Sequence, residues 1–252
     1  MLVFRSQCRL ACLLGRSLLV ALLALGLAAS GFGSARAETP QTVAIIGDSM
    51  AKGYCRGLRR HLKGNDGYRI KCWSHPSSGL TRPDFLNWDD KLAGYLEGEK
   101  VDIAVVAFGA NDAQRMVLDD QILDFTDEAW AAAYGARIDR IIDQLEAHGA
   151  QIIWVGMPIA RSARYSRKMD RLNAIYAQRM AARDVPFLSI WEATQDATGR
   201  YSAALPDAKG RTRVMRDGDG IHFTGAGEAL VSCLVLGRFP GVSDPGDLAR
   251  TC

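Results

Sequence analysis

Five short runs of aliphatic and β-branched side chains recur along the chain, at residues 42–46, 68–73, 101–108, 150–157 and 185–191. Most of them are continuously apolar rather than alternating, the pattern of strands covered on both faces. Between them lie helix-length segments. In 130–148 the apolar residues Tyr134, Ile138, Ile141, Ile142 and Leu145 fall three or four apart, and 50–60 and 171–183 also read as helices. Strands alternating with helices predict a parallel sheet with helices on both faces, one three-layer α/β domain. No internal repeat, low-complexity tract or linker interrupts it. In such a sheet ligands sit beyond the carboxyl ends of the strands, so the loops after the first four runs, and the segment before the last helix, carry the candidate chemistry.

The first 37 residues follow a different logic. Arg5, Arg9 and Arg16 precede an apolar run at 18–29, and Ser34-Ala35-Arg36-Ala37 supplies small residues in an A-x-A arrangement. This predicts a secretory signal peptide over 1–37, cleaved after Ala37, with the domain occupying 38–252. The run is shorter than the ~20 residues a membrane span requires. Cys12 lies before the apolar run, which argues against a lipid anchor. Four of the 31 basic residues belong to the leader, so 27 stand against 28 acidic ones in the mature chain. That balance carries no nucleic-acid signature, and no later segment is apolar for long enough to insert stably in a membrane. The expected location is periplasmic or secreted.

Export changes the reading of the cysteines. Cys55, Cys72, Cys233 and Cys252 remain after processing, and an even number in an oxidising compartment predicts two disulfides. Of three connectivities, Cys55–Cys72 and Cys233–Cys252 close the short loops. With no C-x-x-C and no paired histidines, no metal or other cofactor is expected.

Three kinds of residue bring chemistry to the strand ends. Gly47-Asp48-Ser49 follows the first run directly, placing Ser49 at a helix N-terminus, where free N–H groups favour negative charge. Asp219-Gly220-Ile221-His222 lets a carboxylate hold one imidazole nitrogen while the other takes a proton from a serine. His61, His75 and His148 have no comparable neighbour. Gly109-Ala110-Asn111-Asp112 after the third run and Ser78-Gly79-Leu80 after the second offer an amide side chain and backbone donors for an oxyanion.

In order and spacing, Gly47-Asp48-Ser49, Gly79, Gly109-x-Asn111-Asp112 and Asp219-x-x-His222 resemble the four sequence blocks of the SGNH, or GDSL-type, hydrolases. The resemblance spans essentially all of the mature chain. It implies a flavodoxin-like α/β/α sandwich with a five-stranded parallel sheet, Ser49 as nucleophile, His222 as general base and acid, and Asp219 as its orienting carboxylate. It also implies an oxyanion hole from the Ser49 and Gly79 amides and the Asn111 side chain. Met50 stands where many members have leucine, and the second block is short. Together with the leader, this is most similar to a branch of bacterial periplasmic SGNH proteins. The α/β-hydrolase pattern G-x-S-x-G fails at Ala51.

The substrate is less legible. Arg161, Arg164, Arg167, Lys168 and Arg171 make a basic stretch expected to overhang the sheet edge, where it either attracts an anionic group or forms the solvated start of the next helix. Asp48, Trp73, Arg161, Arg164 and Tyr165 are the candidate substrate contacts; Trp73 and Trp88 read either as core residues or as platforms for a sugar ring, and Tyr201 with 210–216 as a flap. The expected substrate is an acylated envelope carbohydrate and the expected activity a short-chain O-acyl esterase. The alternatives are an O-acetyltransferase with the same triad, a lysophospholipase or thioesterase, and a non-catalytic envelope-binding domain.

Overall fold

A computed structural model of the chain describes residues 39–207 and 209–240. The expected leader and Cys252, and with it the Cys233–Cys252 pair, lie outside the described residues. Five parallel strands form the sheet: β1 (Gln41–Gly47), β2 (Tyr68–Ser74), β3 (Ile103–Ala107), β6 (Gln151–Val155) and β7 (Phe187–Leu188), in the order β2-β1-β3-β6-β7. This is the expected three-layer sandwich. Strand β3 lies at its centre and β1 beside it, with Ile45 of β1 in register with Cys72 on one side and Val105 on the other. Every residue of β1 after Gln41, and every residue of β3, is buried.

Helices cover the sheet in two groups. One pairs α1 (Ser49–His61) with α5 (Gly225–Leu236); the other joins α2 (Trp88–Leu96), α3 (Glu128–Ala147) and α4 (Ala163–Ala182), with α3 touching both neighbours. The α1–α5 contact is close because Gly57 lacks a Cβ, which would meet the Ser232 Oγ and the Glu228 carbonyl. The buried Glu228 carboxylate accepts from Arg56 and, at 2.6 Å, from Arg60, so two guanidinium groups of α1 hold α5 in place. Cys55 of α1 is disulfide-bonded to Cys72 of β2, as expected, and no described helix is long and apolar enough to cross a membrane.

Several boundaries differ from the sequence expectation. The last strand covers two residues rather than 185–191: Pro186 has no N–H to give, and the chain bends into a 3₁₀ turn, Glu192–Thr194, once β6 is paired. Helix α4 begins at Ala163, eight residues before the expected 171, because Ser162 caps it by accepting from the Tyr165 N–H. Apart from Arg161, which precedes the cap, the basic stretch therefore lies in the first turns of a helix. Two antiparallel hairpins went unanticipated as strands: β4 (Met116–Leu118) with β5 (Gln121–Leu123), and β8 (Ala204–Pro206) with β9 (Thr212–Val214). The second occupies the place expected for a flap.

Strand β1 ends where it must turn sharply. Gly47 has φ +143°, and a Cβ there would lie 1.9 Å from the Ala107 carbonyl oxygen, backbone that cannot swing aside. Gly47→Ala should lower the unfolding free energy by at least about 2 kcal/mol, from left-handed strain and overpacking together, as read by urea denaturation. A change below 0.5 kcal/mol would show that the β1–β3 contact can relax.

Candidate active site

The turn out of β1 is held by one buried carboxylate. Asp48 is fully buried and is the N-cap of α1; its Oδ1 accepts from the Met50 N–H at 2.8 Å and its Oδ2 from the Ala110 N–H at 3.0 Å. It thus ties the loop that carries Ser49 to the loop that carries Asn111. Burial pushes its carboxyl up to about 7, against the lowering effect of the Met50 amide and with the help of nearby Asp112. Expected as a substrate contact, Asp48 has no surface for a substrate; its position beside Ser49 in sequence conceals that it points inward. The cap of α1 is therefore Asp48, and Ser49 is the first helical residue with its Oγ free for other partners.

That Oγ lies 2.7 Å from His222 Nε2, and His222 Nδ1 lies 2.5 Å from Asp219 Oδ2. With Nδ1–H donating to Asp219, Nε2 is left to accept the serine proton. Asp219 Oδ1 accepts from the Ile221 and His222 N–H groups at 2.8 and 2.9 Å. Its partial burial pushes the carboxyl upward, but the bond from the His222 ring and those two amides outweigh it and hold the group down at about 2. Asp219 is therefore an anion at any working pH. His75 and His148 bond instead to Tyr95 and to the Glu99 carbonyl.

A second buried carboxylate shapes the opposite wall. Asp112 accepts from the Thr81 N–H (2.9 Å) and hydroxyl (3.0 Å), and from Tyr134 (2.8 Å). Tyr134 in turn lies 2.8 Å from Tyr176, whose hydroxyl donates to the Phe108 carbonyl. Burial raises the Asp112 carboxyl, partly offset by these donors. Its Oδ1 sits where a Cβ on residue 79 would go, 2.2 Å away, so Gly79 is required for the approach. Asn111 Nδ2 gives one hydrogen to the Ser78 carbonyl at 2.9 Å, leaving the other to point elsewhere. Among the described residues no hydrogen bond uses the Ser49 or Gly79 N–H. The Ser49 N–H, the Gly79 N–H and one Asn111 amide hydrogen are thus left for other partners.

The remaining candidates divide. Tyr165 is half-buried and donates to the Ala110 carbonyl at 2.6 Å, behind Asn111, which makes it part of the wall. Arg161 is exposed and donates to the Gly218 carbonyl, bracing the histidine loop at its rim. Arg164 is exposed, and Arg161, Arg164, Arg167 and Lys168 make no ion pair among the described residues. Trp73 is a core residue stacked on Tyr95 at 4.9 Å, and Trp88 is buried with its indole N–H on Ser78; neither offers a face to a sugar. Sequence reasoning found no role for the β4–β5 hairpin. With the loop at Thr81–Asp84 it bounds a cleft of about 860 Å³ that includes Gln114, whose amide donates to the Asn111 carbonyl. Val117 and Ile122 are exposed along it. The signal was Asp119-Asp120, a two-residue turn in which both residues have positive φ.

Comparison with known proteins agrees with this architecture. An acetylxylan esterase of Geobacillus stearothermophilus superposes with a TM-score of 0.54 at 15% identity, over 78% of this chain and 92% of that one. A protein of Slackia heliotrinireducens described as a candidate SGNH hydrolase gives 0.54 at 15%, over 78% and 97%. An enzyme from the Lake Arreo metagenome, described as an alpha/beta hydrolase, gives 0.59 at 14%, over 81% and 97%. No curated protein sequence matches. The fold is that of the SGNH hydrolases. Within it, the chain belongs to the family described as "Protein of unknown function (DUF459)", whose model matches residues 42–238.

The electrostatics of Asp48 can be checked through stability. A carboxyl at about 7 in the folded protein and near 3.8 unfolded binds more protons folded, so its contribution is lost as pH rises from about 4 through 7. Asp48→Asn should flatten that fall, measured as unfolding free energy against pH, while costing about 1 kcal/mol at low pH for the amide it can no longer accept. An unchanged slope would mean that Asp48 is ionised throughout.

Proposed function

We propose that the protein is a serine esterase that removes acetyl or other short acyl groups from an exported carbohydrate. The observation that carries the reading is the unbroken chain Ser49 Oγ, His222, Asp219, at 2.7 and 2.5 Å, beside unused donors at Ser49, Gly79 and Asn111. Ser49 Oγ attacks the ester carbonyl as its proton passes to His222 Nε2. The tetrahedral oxyanion is stabilised by the Ser49 and Gly79 amides and the Asn111 side chain. His222 then gives its proton to the departing alcohol. Water, deprotonated by the same imidazole, releases the carboxylic acid and restores Ser49. Asp219 stays ionised and keeps the ring in the required tautomer.

Export is supported by the Cys55–Cys72 disulfide, which suits an oxidising compartment, and by the leader-like composition of residues 1–37. A short acyl group on a polar alcohol is favoured by the acetylxylan esterase among the structural neighbours. The unpaired cations at the start of α4 favour an acidic glycan, since a helix N-terminus is where a protein gains least from cations of its own.

Hydrolysis of p-nitrophenyl acetate, butyrate and octanoate tests the reading. The mature protein should prefer acetate, and Ser49→Ala should lower turnover by roughly a thousandfold or more with Tm unchanged. Equal activity in that variant would remove Ser49 as nucleophile. A preference for octanoate would indicate a lipase or thioesterase, and capture of the acyl group by an added sugar would indicate a transferase. Arg164→Glu should raise KM severalfold for an acetylated uronic-acid oligosaccharide and leave the neutral aryl acetate unaffected. Parallel changes on both substrates would discard the charge argument.

A further inference from the structure

Arg216 lies just before the loop that carries Asp219 and His222, and it is 2% exposed. Only one of its contacts is an ordinary hydrogen bond: Nη2 donates to the Gly220 carbonyl at 3.3 Å. Nε and Nη1 have no partner among the described residues, and no carboxylate there lies within ion-pair distance. The guanidinium rests instead on two rings, 4.5 Å from the centre of Phe223 and 5.5 Å from that of Tyr201. Guanidinium does not shed its charge, so a buried cation persists here with incomplete compensation. An apolar side chain of similar size would be easier to accommodate.

What the cation touches explains its presence. Arg216 and Phe223 pair as an isolated antiparallel bridge and so close a loop over residues 217–222. Inside it the Asp217 N–H donates to the His222 carbonyl at 2.8 Å and the Gly220 N–H to the Asp217 carbonyl at 2.9 Å. Gly220, with φ +74°, turns its carbonyl back towards the guanidinium. Arg216 therefore grips the loop between Asp219 and His222 through Gly220, and immediately after His222 through the ring of Phe223. The charge of Asp219 is among those that act on the guanidinium, against the stronger lowering effect of burial.

We propose that Arg216 is a positioning residue, whose buried guanidinium holds the 217–222 loop so that Asp219 and His222 meet Ser49, and that it does so at the expense of stability. The inference rests on the triad reading above. It predicts that activity and stability move in opposite directions on substitution, which a merely structural arginine would not produce.

The test compares Arg216→Met, which keeps the reach without the charge, with Arg216→Lys. Three quantities are measured: Tm, the kcat and KM for p-nitrophenyl acetate, and the far-downfield proton resonance of the His222 Nδ1–H bonded to Asp219, assigned by its loss in His222→Ala. Arg216→Met should have a Tm equal to or above wild type, a kcat lower by roughly ten- to a hundredfold at nearly constant KM, and a lost or broadened resonance. Arg216→Lys should fall between the two. Wild-type kcat and an intact resonance in Arg216→Met would overturn the proposal, as would a loss of activity matched by a fall in Tm. If the wild type shows no Ser49-dependent turnover, the esterase reading fails by itself. The resonance still decides the role of Arg216: retained in Arg216→Met it overturns the inference, lost at undiminished Tm it upholds it, and absent from wild type it leaves no dyad to position and overturns it as well.

Discussion

The site depends on a carboxylate that no substrate touches. Asp48 receives one amide from the first turn of α1 and one from the loop after β3, and these bonds fix the distance between the serine and the asparagine on neighbouring strands. The close approach of Gly47 to the Ala107 carbonyl brings the two strands near enough for this, and Asp48 bridges the gap they leave. A buried carboxyl stays satisfied only while both donors remain where they are, so displacing either loop leaves a polar group without partners in the interior. Asp112 repeats the device on the other wall, joining the second and third loops through Thr81 and reaching the tyrosines of α3 and α4. Two internal carboxylates thus brace the three loops that surround Ser49.

Much of this architecture was legible in order and spacing. The apolar runs placed four of the five strands to within about two residues, because a strand buried on both faces has a nearly uniform composition. The edge strand β7 was overestimated, since Val185 and Ile190 are apolar but lie outside the paired residues Phe187–Leu188. Ser49, Asp219 and His222 could be found because their chemistry needs particular residue types at short spacings. Asp48 was misjudged for the converse reason: direction and burial are tertiary properties, and a residue adjacent to a reactive one in sequence can face the other way.

Arg216 illustrates the deepest limit. An arginine in a stretch containing Arg211 and Arg213 looks like one more surface cation, and nothing local marks it as the member that turns inward. Only the closure of the histidine loop gives it a role. The same holds for Tyr134 and Tyr176, which read as core residues on their helices and do fill the core. Their hydroxyls, 2.8 Å apart, also face Asp112 on one side and the Phe108 carbonyl of the third loop on the other.

The separation of 173 residues between Ser49 and His222 has a consequence for the assembly of the site. Ser49 lies near the start of the domain and His222 near its end, and the helix that follows His222 is held to the helix that follows β1 through Glu228, Arg56 and Arg60. On the reading proposed above, Ser49 has its base within reach only when this last-made segment of the domain is docked, so the reaction is confined to the complete fold.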